Sequence, residues 1–220
     1  MTDINFTDAL KDLFAGAAKI GALPGGGVTR LGYTEDEDKM HEFFREQAKK
    51  RGFSVWQDEA GNSFASNYPE DAENYILIGS HLDSVVEGGE YDGVVGVFSG
   101  LLIMEALKKN GYDKPIRVVA FRCEESSNFK ICTIGSGLIT GSIAREHLKS
   151  ATDREGVSLE ENLRERGFTL DVPLIKGAKR YIEIHIEQGR VLEDAGKSVG
   201  IVTAIAAPHR YLLTLEGLSE

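Results

Sequence analysis

The sequence predicts an α/β protein, a three-layer α/β/α domain around a mixed, mainly parallel sheet. A continuous apolar strand, "YILIGS" (75–80), and a second buried strand in "PIRVVAFRCEES" (115–126) flank "DGVVGVFSGLLIMEALKKNG", a mostly apolar helix. Strand, helix, strand in that order is the signature of a parallel unit whose helices cover the sheet. With 41% hydrophobic and 27% charged residues among 220, the chain also has globular composition and the length to bury a real core.

The elements follow in order. "FTDALKDLFAGAAKI" (6–20) repeats apolar residues at helical spacing, and Pro24 with Gly25, Gly26 and Gly27 then breaks the pattern. A second helix is expected in "EDEDKMHEFFREQAKKRG", where an acidic start and a basic end suit the macrodipole. Met40, Phe43 and Phe44 form its buried stripe, Gly52 stops it, and His41 is expected on its surface. "FSVWQDEAGNSFASNY" reads as two short strands turning through Glu59 to Asn62. "REHLKSATDREGVSLEENLRERG" (145–167) reads as a polar helical excursion on the surface, with His147 on a solvated face. In "YIEIHIEQG" (181–189) strict alternation predicts a strand with Ile182, Ile184 and Ile186 on one face and Glu183, His185 and Glu187 on the other.

Charge and composition exclude several classes. A net charge of −10 argues against nucleic acid as a partner, and the basic cluster at Lys49 to Gly52 is a solvated helix end. No stretch approaches the ~20 apolar residues of a membrane span, and the first residues lack the pattern of a signal peptide, so a cytoplasmic protein is expected. Cys123 and Cys132 are then reduced thiols, with no CxxC pair to hold zinc. A GxGxxG after a strand, a GxxxxGK[ST] and a GxSxG are all missing, which disfavours a nucleotide enzyme or a serine hydrolase. Cys123 fits a small core residue at a strand end better than a nucleophile paired with His185.

What remains is chemistry gathered where strands end, the place where open α/β sheets form their sites. The first strand runs into His81 and then, past a glycine-rich loop, Asp92; the second runs into Glu124 and Glu125; the third carries His185. Two imidazoles and several carboxylates brought together would repel or stay poorly satisfied without a cation, and zinc, manganese or cobalt accepts this nitrogen and oxygen mixture. Asp83, two residues from His81, is suited to orient its ring.

"GSHLDSVVEGGEYDGVVGV", "CEESSNF", "IEIHIEQGRVLE" and "GIVTAIAAPHRYLLTLEG" together resemble the amidases of hydantoinase/carbamoylase type, which include N-carbamoyl-L-amino-acid hydrolases and allantoate amidohydrolases. The resemblance implies the zinc-peptidase-like fold of the dinuclear metallopeptidase and aminoacylase superfamily and a metal-dependent hydrolase of linear amide or ureido C–N bonds. It implies two divalent ions, zinc first, with manganese, cobalt or nickel as alternatives. His81 and His185 would serve one ion, Asp92 would bridge both and Glu125 would bind the second. Glu124 would be the general base toward a water between the metals, Asp83 its catalytic companion, and Gln188 a substrate contact. An aminoacylase or dipeptidase of the same superfamily, or a non-catalytic metal-binding remnant, are the competing readings.

Two departures are visible. The family's EEGxRF pattern has Ser126 and Asn128 in place of its Gly and Arg, which leaves the substrate open. Family members are also about twice as long, with a lid and dimerisation domain, a further metal-binding His and a homodimeric assembly. The 220 residues are therefore expected to be a truncated catalytic domain, with 206–220 the start of the lid domain. His209 lies outside the family's ligand motif and is not expected to replace the missing His.

Overall fold

A computed structural model describes residues 4–205 together with 213, 216 and 217, so His209 and most of 206–220 lie outside the described residues. The chain divides into two compact units, Met1–Ile186 and Glu187–Glu220.

The first unit is built on one five-stranded sheet of order β1-β2-β4-β3-β5. Its strands are β1 (Ser54–Gln57), β2 (Ser63–Ser66), β3 (Tyr75–His81), β4 (Ile116–Phe121) and β5 (Ala178–Ile182). The sheet is mixed as expected: β3 pairs in parallel with both β4 and β5, while β1–β2 and β2–β4 are antiparallel. The expected turn joins β1 to β2, with the Asp58 carboxylate accepting the N–H groups of Ala60 and Asn62 and Gly61 at φ 85°.

Alternation along the strands divides the core between two layers. Ile78, Ile116, Val118 and Ala120 pack with α1 (Phe6–Ala17), α2 (Glu35–Lys50) and α3 (Val94–Lys109). Leu77, Val119 and Phe121 pack on the other face with α4 (Ile134–Thr140), α5 (Arg145–Leu148) and α6 (Leu159–Glu165). The three-layer arrangement follows. In α2 the buried stripe is Met40 and Phe44, with Phe43 half-buried against the same cluster.

Three expectations need correction. His41 is fully buried, its Nδ1 2.9 Å from the Ser63 hydroxyl, because α2 turns Glu37 and His41, one helical turn apart, inward. The segment 145–167 is two short helices instead of one surface excursion, and it anchors Leu148, Leu159 and Leu163, all fully buried, in the second layer; His147 is exposed as expected. Each buried leucine contributes about 1.5–3 kcal/mol. Leu163→Ala should accordingly cost about 2–5 kcal/mol in urea unfolding, whereas a surface helix would lose almost nothing.

The third correction concerns β5, which begins earlier than the alternation predicts and ends at Ile182, where its ladder with β3 ends at Ile78. Beyond that point side chains take over: Tyr181 donates its hydroxyl to the Gly79 carbonyl, and Ser80 donates to Glu183 Oε1. In the second unit, Glu187 is a helix cap, its two oxygens accepting the N–H groups of Val191 and Leu192 at the start of α7 (Val191–Asp194) at 2.8 and 2.9 Å. Anionic side chains are favoured there by the unpaired N–H groups of a helix start. Among the described residues no helix is long and apolar enough to cross a membrane.

Candidate metal centre

His81 closes β3 and is 3% exposed. Its Nδ1 lies 3.1 Å from the Asp83 carbonyl and 3.3 Å from Asp83 Oδ1, which leaves Nε2 to face the site. From there Nε2 is 4.0 Å from Asp92 Oδ1 and 3.9 Å from Glu124 Oε2. Asp92 stands immediately before α3, and the residue between them, Gly93, has φ 67°. A Cβ at Gly93 would sit 2.5 Å from the His81 carbonyl oxygen, so only glycine lets the start of α3 come this close to the end of β3.

His185 arrives from beyond β5. Gly96 of α3 makes room for it, since a Cβ there would stand 2.6 Å from the Ile184 carbonyl. His185 Nε2 lies 3.1 Å from Asp92 Oδ1, and the two imidazole rings are 6.4 Å apart between centroids.

Glu124 and Glu125 follow a sharp reversal at the end of β4, where Cys123 adopts φ 48°. Asp83 is fully buried and accepts both of their N–H groups, Glu124 on Oδ1 at 3.0 Å and Glu125 on Oδ2 at 2.9 Å. Its carboxylate thus touches the His81 ring and the Glu124–Glu125 backbone at once. The sequence suggested only the contact with His81; a link across about 40 residues of chain leaves no periodic signal.

Donor atoms of His81, Asp92 and His185 lie within 4.8 Å of one another, as do those of His81, Glu124 and Glu125. His81 therefore belongs to both groups, and Glu125 lies on the Glu124 side. Gln188 falls in the second unit.

The electrostatics fit a divalent cation. Burial alone would lower the His81 pKa, yet the Asp83 hydrogen bond and the charges of Asp83, Glu124 and Asp92 raise it to about 10. Burial pushes Glu124 and Glu125 up; His81 pulls both down, while neighbouring carboxylates push them up again. Four carboxylates face two imidazoles here, and that excess of negative charge together with a mixed nitrogen and oxygen donor set is what zinc or manganese accepts. Cys123 is no competitor: it is fully buried, and burial with nearby carboxylates holds its thiol well above its usual range. Cys132 is exposed. Asn128 points away from the cluster, donating Nδ2–H to the Gly32 carbonyl at 2.8 Å.

Residues 62–163 match the model of peptidase family M28. The chain is 38% identical over 211 residues to the N-carbamoyl-L-amino acid amidohydrolase of Geobacillus stearothermophilus, covering 92% of this chain and 51% of that one. To the allantoate amidohydrolase of Escherichia coli it is 36% identical over 223 residues, 98% of this chain and 54% of the relative. A hydantoinase/carbamoylase family amidase from Burkholderia ambifaria superposes with a TM-score of 0.76 at 37% identity, over 88% of this chain and 48% of that one. The chain spans about half the length of the curated relatives and of the solved amidase that it matches.

Proposed function

We propose that this chain carries the metal-binding and proton-transfer groups of a hydrolase of linear amide and ureido C–N bonds, with N-carbamoyl-L-amino acids or allantoate as the substrate class. The observation that carries this reading is that His81 is shared by two donor groups at the strand ends, one with Asp92 and His185 and one with Glu124 and Glu125, the atoms of each within 4.8 Å of one another. The names of the relatives support the substrate class.

His81, Asp92, Glu125 and His185 would hold the divalent ions, which when bound polarise a carbonyl and lower the pKa of water. Glu124, a third exposed, takes the proton from the attacking water and returns it to the departing nitrogen. Asp83 keeps the His81 ring and the Glu124–Glu125 backbone in register while this happens. An N-carbamoyl amino acid and one water would give the free amino acid, ammonia and carbon dioxide.

Elemental analysis of the dialysed protein tests the metal reading. Bound zinc or manganese is expected in the chain as it stands and is expected to be lost in His81→Ala, because His81 belongs to both donor groups. Equal metal content in the two proteins would discard the site. The match to a peptidase family favours a second reading, an aminoacylase or dipeptidase. A panel of ureido, acyl and peptidyl compounds separates the two, with hydrolysis of the ureido compounds expected.

A further inference from the structure

The turn that carries Glu124 and Glu125 is held from behind by a buried pair that the chemistry above does not use. Glu37, in the first turn of α2, is fully buried. Its Oε1 accepts the Cys123 N–H at 2.8 Å, and its Oε2 accepts the Tyr33 N–H at 2.6 Å and Nη1–H of Arg122 at 2.9 Å. Arg122 is 2% exposed; it also donates Nε–H to the Gly61 carbonyl at 3.0 Å and Nη1–H to Asp38 Oδ1 at 2.7 Å.

Three consecutive backbone N–H groups, of Cys123, Glu124 and Glu125, therefore all end on buried carboxylates: the first on Glu37, the next two on Asp83. A non-glycine residue at φ 48° persists only where its surroundings over-determine it. Here the residue before Cys123 is gripped through its guanidinium and Cys123 itself through its N–H, both by Glu37. A carboxylate is what the position requires, since three donors converge on its two oxygens and an amide would oppose one of them with its own N–H.

We infer that Glu37, paired with Arg122, is a positioning residue that fixes the Cys123–Glu125 turn and so sets where the Glu124 and Glu125 carboxylates stand. The inference rests on the metal-site reading only for its consequence, since the grip on the turn is a property of the metal-free chain.

Glu37→Gln tests it by two measurements on the full 220-residue chain. Without metal, amide hydrogen exchange at Glu124 and Glu125, whose direct acceptor is Asp83, should rise at least about tenfold, while Ile78 and Val118 in the central strands stay as in the unaltered protein. A zinc titration should show affinity reduced by roughly 10–100-fold, the size of effect expected when a group supporting a ligand is removed. Exchange confined to the Cys123 amide, with Glu124 and Glu125 unchanged, would overturn the inference. So would faster exchange at the two glutamates with unaltered zinc affinity. An unaltered chain that takes up no zinc would instead sink the metal-site reading, and the exchange result would still decide the role of Glu37. Should Glu37→Gln fail to fold, Arg122→Lys keeps the charge but loses the fork; it is expected to raise exchange at the same two amides, and unchanged protection there would count against the proposal.

Discussion

Replacing Glu124 with glutamine is expected to leave the metal content intact and to lower turnover of an N-carbamoyl amino acid by roughly 10²–10⁴-fold, the usual worth of a positioned acid–base group. The substitution keeps size and hydrogen bonding and removes only the ability to carry a proton. Burial raises the pKa of Glu124; the His81 charge lowers it, and Asp83, Glu183 and Asp92 raise it again. The net upward shift brings the carboxyl closer to the neutral range in which a group both accepts and returns a proton. Ammonia release, followed alongside elemental analysis, reads both halves of the expectation. A near wild-type rate with full metal would remove Glu124 from the proton-transfer role, and loss of metal would make it a ligand instead.

Gly93→Ala should be the most damaging small change near the site. At φ 67° an alanine costs about 1–2 kcal/mol by conformation alone, which for a chain of this size lowers the melting temperature by about 2–8 °C. The added Cβ would also stand 2.5 Å from the His81 carbonyl oxygen and 2.6 Å from His81 Cε1. Neither neighbour is the loose end of a flexible chain, so β3 and the start of α3 must separate, and Asp92 moves off His81. Lowered melting temperature and loss of bound zinc are expected together. Gly89→Ala is the control, because a Cβ there meets no heavy atom within 4 Å beyond its own chain neighbours. Retained zinc in Gly93→Ala would mean that the His81–Asp92 spacing tolerates more than this packing suggests.

How far the sequence could be read follows from the kind of interaction concerned. The central strand–helix–strand unit was legible because continuous apolar runs and glycine punctuation are local signals, and β3, α3 and β4 stand where those signals lie. The alternation from Tyr181 to Glu187 was only partly informative: it marks a strand, but side-chain bonds from Tyr181 and Ser80 replace the ladder after Ile182, and Glu187 serves a helix end. The burial of His41 and Glu37 was hidden because an acidic helix start reads as solvated, and their partners come mostly from distant parts of the chain: Ser63 for His41, and Arg122 with the Cys123 N–H, besides the nearby Tyr33 N–H, for Glu37. The double role of Asp83 was hidden for the same reason, since backbone N–H groups 41 and 42 residues away carry no residue-type signature.

The two cysteines differ in a way that has a practical side. Cys123 is sealed at the turn, whereas Cys132 is exposed, and the residue after Cys132 donates its N–H to the Glu124 carbonyl at 2.7 Å. These 220 residues thus offer a single exposed thiol, linked through one peptide unit to Glu124. A fluorophore or spin label attached at Cys132 becomes a reporter of what happens at Glu124, with no engineering of the protein beforehand.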